Sequence, residues 1–103
     1  MQYLFNSSGH WIAFNIGAYV YDRSCQWIGW MPWDDGYVAS KSGQYLGTII
    51  GNRLYRFMSH PYRPYPGYPG YPGYPGYPGY PGYPGYAGYS PLPPGAQDIE
   101  ELA

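Results

Sequence analysis

Apolar and polar positions alternate along the first sixty residues in short runs, and the runs recur at a spacing of 16 to 18 residues. Within each run the period is two, which sends successive side chains to opposite faces of a strand. Aligning the chain on itself makes the repeat explicit. Tyr3-Leu4-Phe5-Asn6 followed by Gly9-His10-Trp11-Ile12-Ala13 is the first copy. Tyr19-Val20-Tyr21-Asp22 with Cys25-Gln26-Trp27-Ile28-Gly29 is the second, and Tyr37-Val38-Ala39-Ser40 with Gly43-Gln44-Tyr45-Leu46-Gly47 the third. A fourth copy opens at Arg53-Leu54-Tyr55-Arg56 and then loses the pattern. The pattern predicts a meander of β-hairpins and no helix in this region.

Turn chemistry supports the hairpins. Asn6, Asp22 and Ser40 each begin a four-residue turn that ends at Gly9, Cys25 or Gly43. Asx or Ser first and Gly last is the preference of a type I turn followed by a left-handed residue. Cys25 departs from it, so the second turn is either strained or of another geometry. Gly17, Asp35-Gly36 and Gly51-Asn52 mark the turns between copies.

Leu4, Val20, Val38 and Leu54 fall on one face of the outgoing strands, and Ile12, Ile28 and Leu46 match them on the return strands. The flanking positions are aromatic: Tyr3, Phe5, Trp11, Tyr19, Tyr21, Trp27, Tyr37, Tyr45 and Tyr55. Small residues follow at Ala13, Gly29 and Gly47, which predicts close approach of backbones at equivalent points. Both faces are therefore largely apolar. One is the core; the other is a second core layer or an exposed aromatic surface, which would signal binding.

The recurring outgoing strand, the Asx-x-x-Gly turn and a return strand ending small-then-aromatic, as in Trp27-Ile28-Gly29-Trp30, resemble the four-fold β-flower domain, a small bacterial family, over about residues 2–57. The resemblance implies a shallow barrel of hairpins around a pseudo-four-fold axis, with an apolar channel at its centre and no established biochemical activity. Three departures stand out: Cys25 for a turn glycine, Thr48 where Phe14 and Trp30 are aromatic, and no turn signal after Arg56. The last leaves open whether the ring closes.

Composition then divides the chain. Of 13 prolines, 12 lie in residues 61–103, whereas all four tryptophans lie in residues 1–60. Residues 65–85 are seven consecutive Tyr-Pro-Gly triplets, followed by Tyr86-Ala87-Gly88 and Tyr89-Ser90-Pro91. Pro-Gly is the preferred centre of a type II turn, and such a tract buries no core. The expected organisation is a small all-β ring of repeated hairpins at residues 1–60 and a disordered Pro/Gly/Tyr-rich tail at residues 61–103. Evenly spaced tyrosines suit weak multivalent self-association. The glycine period of three also fits a collagen-like trimer formally, although tyrosine at X makes a poor triple helix. Residues 96–103 suit one acidic helical turn or a short docking motif.

Charge removes other classes. The ring carries +1 and the tail −2, with cations too scattered for the counterion release that nucleic-acid binding uses, so no nucleic-acid partner is expected. A single cysteine excludes an internal disulfide, and with no secretion signal the expected location is cytoplasmic. The apolar stretch 11–21 is too short to span a membrane as a helix. His10, His60, Cys25 and Asp34-Asp35 offer no nucleophile–base pair, phosphate loop or metal spacing, so neither enzyme activity nor a metal or cofactor is expected. His10 matches Gln26 and Gln44 and reads as an exposed strand position.

Two functions remain. The first is a binding module whose aromatic channel or face takes an apolar ligand, lipid or peptide group, lined by Trp11, Trp27, Trp30, Trp33 and Tyr45. The second is a structural or assembly protein acting through its Tyr-Pro-Gly tail.

Overall fold

Backbone pairing joins eight strands into one sheet. The computed structural model describes residues 1–59, 63, 64, 67, 70 and 84–99. The strands are β1 (Gln2–Phe5), β2 (Trp11–Ile16), β3 (Tyr19–Asp22), β4 (Trp27–Trp30), β5 (Tyr37–Ser40), β6 (Tyr45–Ile50), β7 (Arg53–Phe57) and β8 (Ala96–Asp98). They follow one another in sequence order, and β1 also pairs with β7 through Phe5 and Arg53, which closes the barrel. The Phe5 amide donates to Asn52 O at 2.9 Å at the same junction. Successive pairs form hairpins 1 to 4.

The turns form for the reasons their residues suggest. In hairpins 1, 2 and 3 the amides of Gly9, Cys25 and Gly43 donate to Asn6 O, Asp22 O and Ser40 O at 3.0, 3.1 and 3.0 Å. The side chains at the first position accept from the residue four on: His10 to Asn6 Oδ1, Gln26 to Asp22 Oδ1 and Gln44 to Ser40 Oγ. Gly9 and Gly43 share φ of 89°, and Cys25 has φ of 66°. The second turn thus keeps the common geometry and places a side chain in the left-handed region, at a cost of roughly 1–2 kcal/mol. Burial of Cys25 among Phe5, Trp11, Phe14, Tyr21 and Trp27 offsets that cost.

A bulge recurs at one point in three hairpins. The ladder steps from Leu4↔Ala13 to Phe5↔Trp11, from Val20↔Gly29 to Tyr21↔Trp27, and from Val38↔Gly47 to Ala39↔Tyr45. The residues passed over are Ile12, Ile28 and Leu46, so two consecutive return-strand residues oppose one outgoing residue. The core follows: Leu4, Ala13, Val20, Ile28, Val38, Leu46, Leu54 and Ile99 form one buried cluster, with Ile12 packed against it. Leu4, Val20, Val38 and Leu54 have no solvent exposure, and each contributes about 1.5–3 kcal/mol by burial. The predicted convergence is present too. A Cβ on Gly29 would lie 2.4 Å from Ala39 O, and one on Gly47 would lie 2.8 Å from Tyr55 O, in each case on the next hairpin.

The fourth hairpin is completed from the far end of the chain. β8 pairs antiparallel with β7 through Tyr55↔Asp98, Arg56↔Gln97 and Phe57↔Ala96. Gln97-Asp98-Ile99 therefore stands where Gln26-Trp27-Ile28 and Gln44-Tyr45-Leu46 stand in hairpins 2 and 3. Ile99 enters the core as their Ile28 and Leu46 do. Residues 84–99, expected within the tail, return to the ring, and the Tyr-Pro-Gly tract lies in sequence between β7 and β8. Of residues 96–103, expected as a helical turn or a short docking motif, residues 96–98 form a strand, because β7 offers main-chain partners that an isolated short helix lacks, and residues 100–103 lie outside the described residues.

Most of the tract falls outside the described residues, and with it the expectation of disorder there. Four of its glycines are described: Gly67, Gly70, Gly85 and Gly88 have φ of 83, 87, 90 and 85°. These are values of the third residue of a type II turn, and a collagen chain requires negative φ.

Candidate functional site

Each of the first three hairpins carries an aromatic pair at equivalent points. The pairs are Tyr3–Trp11, Tyr19–Trp27 and Tyr37–Tyr45, with ring centroids 5.7, 6.3 and 5.0 Å apart. Hairpin 4 has Arg53 and Asp98 at these two positions. The return-strand member of each pair also meets the turn of the following hairpin. Arg23 lies over Trp11 at 5.2 Å and Lys41 over Trp27 at 5.9 Å, both cation–π contacts. Tyr45 Oη accepts the Phe57 amide at 3.1 Å. Asp98 accepts the amide and the hydroxyl of Ser7 at 2.8 and 2.5 Å. Ser7, Arg23 and Lys41 occupy the second turn position and Phe57 the equivalent place at the end of β7, so one contact is made four times with different chemistry, and the fourth joins the last hairpin to the first.

The five aromatic residues singled out in the sequence stand in different surroundings. The core cluster is aliphatic and includes none of them. Trp11 and Trp27 are buried in an aromatic layer outside it, and their indole Nε1 groups donate to Ala13 O at 2.7 Å and Gly29 O at 2.8 Å. Trp30 is half-buried, and its Nε1 has no acceptor among the described residues. Trp33 is 37% exposed and stands edge-on to Tyr37, which contacts Tyr45.

Open grooves separate neighbouring hairpins. One of about 390 Å³ lies between hairpins 2 and 3, lined by Trp27, Ile28, Leu46, Gln26, Gln44 and Lys41 among others. A more polar one of about 510 Å³ lies between hairpins 3 and 4 and includes Tyr45, Leu46, Arg56, Phe57 and Gln97. Trp27 in the first groove and Tyr45 in the second are equivalent residues.

Two further places hold the ends of the tract, and the sequence reading missed both. Near its start, Arg63 lies 4.9 Å over Trp33 and 4.8 Å over Tyr37, and it pairs with Asp35 at 2.7 Å. The Arg63 hydrogen bond holds the Asp35 carboxyl below its ordinary range. Burial pushes the Tyr37 phenol up, with Arg63 opposing. The available signal was that Arg63 is the sole charged residue from 61 to 97. At the other end, the Ala87 amide donates to Gly9 O at 2.9 Å and the Ser90 amide to Ser7 O at 2.8 Å. Arg53 donates to Asn6 O, Gly88 O and Ala87 O at 2.9, 2.8 and 3.3 Å. Tyr86 lies 5.8 Å from the exposed His10 ring.

Among the described residues no three His, Cys, Asp or Glu side chains converge, and no helix is long and apolar enough to cross a membrane.

A closed all-β ring of four quasi-equivalent hairpins, interlocked in sequence by one repeated contact, defines the class. A family profile described as 4-fold beta flower protein matches residues 1–97, and the chain belongs to that family. Neither the curated proteins nor the solved structures yield a match.

Proposed function

We propose that the protein is a non-catalytic structural module in which a β-flower ring holds the Tyr-Pro-Gly tract as a loop and presents its tyrosines for weak, collective contacts. The observation that carries this reading is the return of the chain at Asp98 and Ile99. The ring is completed by residues beyond the tract, so the tract is tethered to it on both sides. Arg63 on Trp33 and Tyr37, and Ala87 and Ser90 on hairpin 1, support the same reading. Identical triplets give no single tyrosine a unique role, and their contributions add across units. Replacing the tyrosines of residues 65–83 by serine two at a time should lower self-association stepwise in sedimentation velocity runs. A wild-type chain that stays monomeric at all concentrations would reject the reading, as would complete loss on changing one pair.

The groove between hairpins 2 and 3 favours a second reading, a binding module for an apolar ligand, lipid or peptide group with Trp27 and its neighbours as lining. Its floor of Trp27, Ile28 and Leu46 beneath Gln26 and Gln44 joins apolar surface to polar orienting groups. An apolar fluorescent probe should then quench tryptophan emission, and Gln44→Glu, at the exposed rim of the groove, should weaken probe binding. Equal binding by both chains would remove this reading.

A further inference from the structure

Seven Tyr-Pro-Gly units precede Tyr86-Ala87-Gly88-Tyr89-Ser90, and in the triplet register the positions 87 and 90 are those that proline fills upstream. These two residues are also the two of this segment whose main-chain N–H groups donate to hairpin 1, Ala87 to Gly9 O and Ser90 to Ser7 O. Proline has no N–H and makes neither bond. The repeat is interrupted where the ring requires a donor.

The receiving surface is shaped for main chain. Gly9 has φ of 89°, and a Cβ there would fall 2.4 Å from Gly88 O and 2.6 Å from Gly88 N, so hairpin 1 accepts the segment at this distance only without a side chain. Gly88 has φ of 85° and open space around its α-carbon, so its requirement is conformational. The Arg53 guanidinium bridges the carbonyls of Ala87 and Gly88 to that of Asn6. Ala87 packs on the aromatic layer and Tyr86 lies by His10.

We propose that the turn of hairpin 1 together with Arg53 is a peptide-reading site for a Tyr-x-Gly-x-x segment bearing N–H groups at its second and fifth positions, filled in cis by residues 86–90. The site refuses Tyr-Pro-Gly-Tyr-Pro, and this refusal sets the register of the whole tract, since sliding by one triplet would bring Pro84 opposite Gly9. This holds whether or not the tract self-associates.

The full-length double variant Ala87→Pro/Ser90→Pro tests it, beside a control, Ala87→Gly/Ser90→Ala, that keeps both donors. In amide NMR spectra the double variant should shift Gly9, His10 and Arg53, with Tyr86 and Tyr89 turning mobile, while Val20 and Val38 in the core stay put. The control should leave all of these near wild type. Free peptide Tyr-Ala-Gly-Tyr-Ser, added at millimolar concentration, should move Gly9 and His10 of the double variant back towards their wild-type positions. Tyr-Pro-Gly-Tyr-Pro should bind roughly tenfold or more weakly, from the loss of two hydrogen bonds. Pro84→Ala in an otherwise wild-type chain turns residues 83–87 into a second competent segment, with N–H groups at its second and fifth positions, and should split the Gly9 and His10 signals between two registers. A double variant in which Gly9 and His10 do not shift overturns the proposal. So do equal binding of the two peptides, binding of neither, and a single register in Pro84→Ala.

Discussion

The carboxylate of Asp98 accepts both the amide and the hydroxyl of Ser7, at 2.8 and 2.5 Å across 91 residues of sequence. It does so from the position that Trp11, Trp27 and Tyr45 hold in the other hairpins. Three petals meet their successors through an aromatic residue, twice by the ring face and once by the Tyr45 hydroxyl, and the last meets the first through a carboxylate. Hydrogen bonds to a charged acceptor are stronger than neutral ones.

Asp98→Ala should therefore destabilise the fold by about 1–3 kcal/mol, and Ser7→Ala, which leaves the amide bond in place, by less. Urea denaturation measures both. A change within about 0.5 kcal/mol for Asp98→Ala, the ordinary range of a surface substitution, would mean that the ring does not depend on this contact.

Ile99 fills the core place that Ile28 and Leu46 fill in hairpins 2 and 3, and Ile12, its match in hairpin 1, is only half-buried. Ile99→Ala should cost about 2–4 kcal/mol and Ile12→Ala clearly less. A fragment ending at residue 60 lacks both Ile99 and Asp98 and should unfold at lower urea than the full chain. Equal midpoints would show that β8 adds nothing to stability.

At Cys25 the usual order of two substitutions should reverse. Alanine removes the buried sulfur and keeps a side chain at φ of 66°, whereas glycine removes the sulfur together with the strain. Cys25→Gly should come out at least as stable as Cys25→Ala in thermal melts. The opposite order would mean that this turn stores no strain.

The Arg63 clamp should open in acid. The Asp35 carboxyl lies below its ordinary range because of Arg63, so the ion pair stabilises docking above that range and loses its effect as pH falls through the depressed value. Trp33 emission, followed from pH 7 downwards, should change in the wild type before the ring unfolds and be flat over the same interval in Asp35→Asn. Matching curves would show that Asp35 does not hold Arg63. The pair is partly exposed, so the transition should move with added salt.

The hairpins were legible because their signals are local: Asn6, Asp22 and Ser40 each sit three residues before the left-handed position, and Leu4, Val20, Val38 and Leu54 keep one phase. β8 was not, since Gln97-Asp98-Ile99 matches its counterparts at two of three positions, a short likeness separated from β7 by the tract. The sequence left the aromatic face open between a second core layer and an exposed surface. The division of its residues between Trp11 and Trp27 in the packed layer and Trp33 beside Arg63 depends on which hairpin follows which in space, and periodicity carries no such information. Ala87 and Ser90 were visible as interruptions of the triplet. Their meaning required the acceptors Gly9 O and Ser7 O, about eighty residues away in sequence.

Because β7 and β8 pair directly, with Phe57 opposite Ala96, the tract bridges two points that already touch. The entropic cost of such a closure rises only with the logarithm of its length, by about 0.6 kcal/mol for each doubling. The number of triplets is thus nearly uncoupled from the stability of the ring. Copies of this protein with longer or shorter tracts, gained or lost in steps of three residues, would fold alike and differ chiefly in how many tyrosines they offer, so repeat number can vary as a valency setting while the fold stays fixed.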